Sequence, residues 1–161
     1  MAREPITLFS REPDPSGAAR LLRTLGAVIE GPDDDWTRAT VVTGNSGDTR
    51  TLIFTHDRKY YSPPNWPAQL RGMHGYFSRF PDVPGKERVL ALIPTLRFAL
   101  GTIHDPDFDD GDERLEIISR VAKSLDAVVF MPSSLRDADG HILLSAGGKS
   151  DPAAVWPDTG N

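Results

Sequence analysis

The chain predicts an α+β domain: a mixed or antiparallel sheet of about five strands covered by about four helices, as a two-layer sandwich. Three observations carry that prediction. Short β-type segments sit near both ends of the chain, helical periodicities cluster between them, and no Gly-x-Gly-x-x-Gly turn follows a strand, as a doubly wound nucleotide fold would need. The expected order is β-α-β-β-α-α-α-β-β.

The elements follow from local pattern. Residues 6–10 alternate like a short strand, and Asp14 before Pro15 reads as an N-cap with proline at the first helical position. Leu21, Leu22, Leu25, Val28 and Ile29 recur at helical spacing, and Gly31 stops that helix. Two β-branched runs, residues 36–43 and 49–56, flank a Gly-Asn-Ser-Gly-Asp turn, which predicts a hairpin. Prolines then keep residues 58–67 irregular.

Trp66, Leu70, Met73, Phe77 and Phe80 form the apolar stripe of an amphipathic helix. Residues 89–100 fit a buried helix kinked near Pro94, although Leu96, Phe98 and Leu100 also alternate as a strand would. Asp110 with Glu113 three residues on resembles a capping box for a helix whose buried stripe is Leu115, Ile118, Val121, Ala122 and Leu125. Residues 127–131 are continuously apolar, as in a strand covered on both faces, and a turn at Asp137–Gly140 leads to a last strand over 141–144. Residues 1–145 are expected to form a single globular domain and residues 146–161, rich in Gly, Ser, Asp and Pro, a flexible C-terminal tail.

At 161 residues, 39% hydrophobic and 25% charged, the chain has the composition of an ordinary globular domain. No apolar run approaches the ~18 residues of a membrane span, and the first residues lack the apolar core of a signal peptide, so a cytoplasmic location with no membrane contact is expected. Cysteine is absent, which excludes disulfides, thiolate nucleophiles and Cys-ligated metals. Arginine outnumbers lysine 14 to 4, the bias of a GC-rich bacterial genome. Charge is uneven: residues 1–80 carry ten basic and nine acidic side chains, residues 81–161 eight and fourteen. An acidic second half disfavours nucleic acid and suits a basic protein partner or a cation.

Residues 104–113 hold five aspartates and one glutamate. Counted from Asp105 as position 1, Asp107, Asp109 and Glu116 fall at positions 3, 5 and 12 of a calcium loop, and these four are the candidate metal ligands. The turn glycine comes one place late, at Gly111, so capping and solvation account for the charges as well. The doublets His56-Asp57 and His104-Asp105 hold the ligand types of a metal-assisted phosphoester hydrolase, with His56, His104 and Asp105 as its catalytic candidates and a divalent cation as its cofactor. Gly147-Gly-Lys-Ser150 copies the end of a phosphate-binding loop, but Leu143 stands where the earlier glycine is needed. Serine hydrolase and zinc protease signatures are absent.

Tyr60 and Tyr61, held among prolines beside Arg58 and Lys59, have the chemistry of a protein-binding hot spot, with Trp66 assigned to the core. The expected function is therefore non-catalytic and cofactor-free: a domain that binds a macromolecular partner, a protein, in a role such as inhibitor or immunity protein. The metal-assisted hydrolase is the alternative.

Overall fold

A computed structural model describes residues 5–11, 15–44 and 48–157. The elements are β1 (Thr7–Ser10), α1 (Pro15–Thr24), β2 (Val28–Glu30), β3 (Arg38–Thr43), β4 (Arg50–Thr55), α2 (Asn65–Ser78), α3 (Pro84–Leu92), β5 (Phe98–Asp105), α4 (Glu113–Ser124), β6 (Val128–Met131), β7 (Ser134–Arg136) and β8 (Ile142–Ser145). Single 3-10 turns lie at Arg58–Tyr61 and Ile93–Thr95. The expected N-cap Asp14 and the tip of the β3–β4 turn fall outside the described residues.

The α+β class holds, and two details are corrected. The sheet has eight strands rather than about five, in the order β2-β3-β4-β5-β1-β6-β7-β8, with every neighbouring pair antiparallel. The helices also do not form one layer. Leu8 of β1 packs in a cluster with Ala18, Leu22, Ile118 and Val121 of α1 and α4. Its neighbour Phe9 packs with Met73 and Phe77 of α2 and Val89 of α3. Successive strand residues point to opposite faces, so the middle of the sheet is covered on both sides.

Three local misreadings explain the extra strands. The first helix ends at Thr24, and Gly26, at φ 86, makes the left-handed turn that Gly31 was expected to make. Val28 and Ile29 then enter β2. The kinked helix over 89–100 is also corrected: α3 stops at Leu92, Ile93–Thr95 tightens into a 3-10 turn, and Phe98 and Leu100 alternate with half-buried Ala99 in β5. Pro94 has no N–H to continue the helical ladder, which favours that break. Finally, β7 is only three residues long and pairs Leu135 with Phe130 and Leu144.

The Trp66 helix buries Trp66, Met73 and Phe77 while Leu70 is half-buried. Trp66 Nε1 donates to the Leu96 carbonyl at 2.9 Å, which satisfies its polar atom inside the core. The segment expected as a tail carries packed contacts as far as it is described. Ser150 Oγ donates to the Leu143 carbonyl at 2.7 Å, Val155 N donates to Asp137 Oδ2 at 2.8 Å, and the Arg88 guanidinium lies 4.2 Å from the Trp156 ring centre. No helix is long and apolar enough to cross a membrane among the described residues.

The second face of the sheet is covered unevenly. One row across it runs Glu30, Arg38, Thr55, Gly101, Thr7, Phe130, each residue opposite the next. At the Phe130 end, Tyr76 and Phe77 of α2 pack edge-on against the ring. At the Glu30 end, the next rows are Val28–Thr40–Ile53–Ile103 and Val42–Thr51–Asp105. Here Val28, Val42 and Ile103 are 70%, 60% and 49% exposed. Among the described residues, α2 and α3 cover one half of this face and nothing covers the other.

Candidate functional site

A cleft of about 440 Å³ opens where the covered and bare halves meet. Its floor is the row Thr55, Gly101 and Thr7, and its walls include Tyr61, Trp66 and Gln69. The floor is low because its residues are small. A Cβ at Gly101 would stand 2.6 Å from Thr55 Oγ1, so a side chain there would have to displace Thr55.

The back wall is built where β4 leaves the sheet. β4 pairs with β5 only as far as Thr55 opposite Gly101, which leaves the Ala99 backbone without a strand neighbour on that side. The Tyr61 hydroxyl takes that place: it donates to the Ala99 carbonyl at 2.8 Å and accepts weakly from the Ala99 N–H at 3.4 Å. The same oxygen lies 2.6 Å from His56 Nδ1. Because the phenolic proton is committed to Ala99, Nδ1 must carry the proton of the His56 contact, and Nε2 is left as the unprotonated acceptor.

His56 is 4% exposed, and Trp36, Tyr61 and Phe98 surround its ring at 5.0, 5.1 and 5.3 Å between centres. Burial lowers its pKa, which keeps the imidazole neutral, and burial likewise raises that of Tyr61. Nε2 has no hydrogen-bond partner among the described residues.

The expected hot spot is divided by this geometry. Tyr61 is half-buried and bonded as above, while Tyr60 is 54% exposed with Lys59 Nζ 5.4 Å over its ring. Arg58 and Lys59 are exposed on the rim. Arg58 donates to the Asp34 carbonyl at 3.4 Å, and Lys59 pairs with Asp57 at 3.5 Å.

The hydrolase candidates are not brought together. Leu52 stands opposite His104, so His56, four residues further along the chain, is about 13 Å away at ~3.3 Å per residue. His104 instead packs against Phe108 with ring centres 4.0 Å apart and planes tilted by 34°, and its Nδ1 lies 3.8 Å from Asp107. Asp105 ends β5 and is exposed.

In the acidic loop, arginines relieve the crowded charge. Arg114, 0% exposed, donates from Nε and Nη2 to the two oxygens of Asp112 at 3.1 and 2.9 Å, and from Nη1 to the Thr51 carbonyl at 3.0 Å. Arg50 reaches Asp109 at 2.7 Å and Asp112 at 3.2 Å. Asp112, not Asp110, is the N-cap of α4, accepting from Arg114 N at 3.0 Å. Hydrogen bonds from Arg114, reinforced by its charge, hold the Asp112 carboxyl well below the usual carboxylate range. Asp107 and Glu116 are exposed, and Asp105, Asp107, Asp109 and Glu116 do not gather around a common point.

Among the described residues, the grouping with metal-ligand spacing is Asp137, Asp139 and His141, which the sequence reading passed over as a turn. Its geometry is that of a stapled turn. Asp137 accepts from Asp139 N, His141 N and Val155 N at 2.9, 2.9 and 2.8 Å, and Asp139 pairs with Lys123 at 2.6 Å.

Sequence reading also missed the floor residues Thr7, Thr55 and Gly101 and the bare Val28, Val42 and Ile103. A signal was present: in residues 50–55, Leu52 and Phe54 alternate with Thr51, Ile53 and Thr55, an outward face without the charges usual on a solvated strand. In architecture the chain is thus an antiparallel α+β domain with one half-bare face and a cleft beside it. No family model, curated protein or solved structure matches the chain.

Proposed function

We propose that the chain is a non-catalytic, cytoplasmic binding domain whose partner is a protein docked on the bare half of the sheet. The observation that supports this most is the exposure of Val28, Val42 and Ile103 on β2, β3 and β5, beside the cleft and Tyr60. An aliphatic centre on a flat sheet, bordered by polar groups of both signs, has the composition of a protein interface. The border carries Glu30, Arg38 and Asp105 on the sheet and Arg58 and Lys59 at the cleft. That mixture lacks the single-signed basic stripe that a phosphate backbone needs.

The test is a pair of charge insertions, Val42→Glu and Ile103→Glu, compared with Val155→Glu, whose side chain is also exposed but lies in the C-terminal segment. Both sheet variants should keep the thermal midpoint within a few degrees and lose the partner that the wild-type chain captures at a fixed stoichiometry, while Val155→Glu retains it. Equal retention by all three would contradict the assignment of the surface.

A further inference from the structure

We infer that the cleft beside the bare sheet is a binding site for a neutral, planar ring that carries hydrogen-bonding groups on its edge. The inference does not depend on the docking surface, because it rests on the cleft walls alone.

Charge decides the first half of the ligand's chemistry. Among the described residues, no lysine or arginine lines the cleft, and the carboxylate that does, Asp57, is occupied by the Lys59 backbone N–H at 3.1 Å and its ammonium at 3.5 Å. Arg58 and Lys59 stand outside on the rim, held to the Asp34 carbonyl and to Asp57, so an anion inside the cleft finds no unpaired counter-charge among the described lining residues, and a cation finds its carboxylate already paired. His56 adds no charge, since it is neutral with its Nδ1 proton committed to Tyr61.

Shape and edge chemistry decide the second half. Tyr61 and Trp66 meet at 78° with centres 5.2 Å apart, a rigid aromatic corner over a floor of small residues. A flat ring fits that slot with stacking on one wall and edge contact on the other. Asn65 and Gln69, one turn apart at the start of α2, line the cleft with amide side chains. Asn65 Nδ2 donates to the Lys59 carbonyl at 3.2 Å, which leaves its carbonyl oxygen as an acceptor. On the floor, the Thr7 and Thr55 hydroxyls can each donate and accept. Acceptors and amide donors around an aromatic slot select a ring with both kinds of group, and about 440 Å³ is within the usual range of small-ligand sites.

Two sources carry such a ring: a free heterocycle of the nucleobase type, and a tyrosine side chain on a protein chain. Titrations of the isotope-labelled full chain with adenosine, N-acetyl-tyrosinamide, benzoate and cyclohexanol distinguish them. At least one of the first two should shift the Trp66 indole N–H and the Ala99 and Gly101 amides, and should bind at least tenfold more tightly than benzoate or cyclohexanol. Tighter binding of adenosine assigns the site to a free heterocycle, and tighter binding of N-acetyl-tyrosinamide to a protein side chain. Gln69→Ala, at an exposed helix position, should weaken the winning probe several-fold, and Thr7→Trp should abolish binding by filling the floor. If Thr7→Trp fails to fold, Thr55→Trp repeats the test from the neighbouring strand. No shift with either ring, benzoate binding as well as they do, or unchanged affinity in Gln69→Ala would overturn the proposal. The Val42→Glu and Ile103→Glu variants should still bind the probe, so failure of the docking surface leaves a different record.

Discussion

Tyr61 shows how one side chain holds the cleft together. Its hydroxyl closes the gap that β4 leaves beside Ala99 and fixes the tautomer of His56. Tyr61→Phe would leave the Ala99 carbonyl and the His56 N–H without their partner, and urea denaturation should show a loss of ~1–3 kcal/mol. His56 makes a second prediction, on pH. Its folded pKa lies below the ordinary 6.5, so the unfolded chain takes up the proton first as pH falls. The contribution of His56 to stability is complete above about pH 6.5 and is lost as the pH drops from there towards its folded value. Melting curves between pH 7.5 and 5 should fall more steeply for the wild type than for His56→Gln; equal slopes would mean that the imidazole is not buried neutral. Tyr60, by contrast, is exposed, and Tyr60→Ser should leave the melting temperature nearly unchanged. The sequence placed both tyrosines in a contact loop from their proline-rich setting, but a register between β4 and β5 that stops at Thr55 is what commits Tyr61 to the backbone. No local pattern carries that information.

Elements with a long, regular pattern were legible. The stripe from Trp66 to Phe77 and the one from Ile118 to Leu125 both face the core as their spacing requires. Phe77→Ala, at a fully buried site, should cost ~3–5 kcal/mol, and Leu70→Ala, half-buried on the same helix, distinctly less. Short elements were not legible. Val28–Glu30 and Ser134–Arg136 span three residues each, too few to show a period, and long-range pairing sets their state. The acidic loop misled for another reason. Its aspartates look like ligands in sequence because the arginines that answer them, Arg50 and Arg114, lie on β4 and α4. Asp112→Ala would leave the Arg114 charge buried without its partner, and denaturation should register a loss of ~3–5 kcal/mol at neutral pH. Because the folded Asp112 pKa is depressed, its contribution is present above the unfolded value of 3.8 and disappears as pH falls through the folded value.

For the whole molecule, what matters is that the four helices and eight strands of the described residues do not match in area. α1 and α4 cover one face, whereas α2 and α3 leave the β2–β5 half of the other in contact with water. A bare face on this scale follows from the chain's connections: the segment after β4 turns back through Arg58–Tyr61 and starts α2 over β1 and β6, away from β3. The β-branched runs over residues 36–43 and 49–56, with the Gly-Asn turn between them, made the strands legible. That their outer side chains would stay uncovered depends on where α2 is laid, which the sequence does not encode locally. The central claim, that a protein docks on this face, is tested most directly by placing a photo-crosslinking residue at Ile103 and, as a control, at Val155, both exposed in the unbound chain. Irradiation in cells of the source organism should join position 103, and not position 155, to one discrete protein species. Absence of any adduct at 103, or the same diffuse adducts from both positions, would contradict the account.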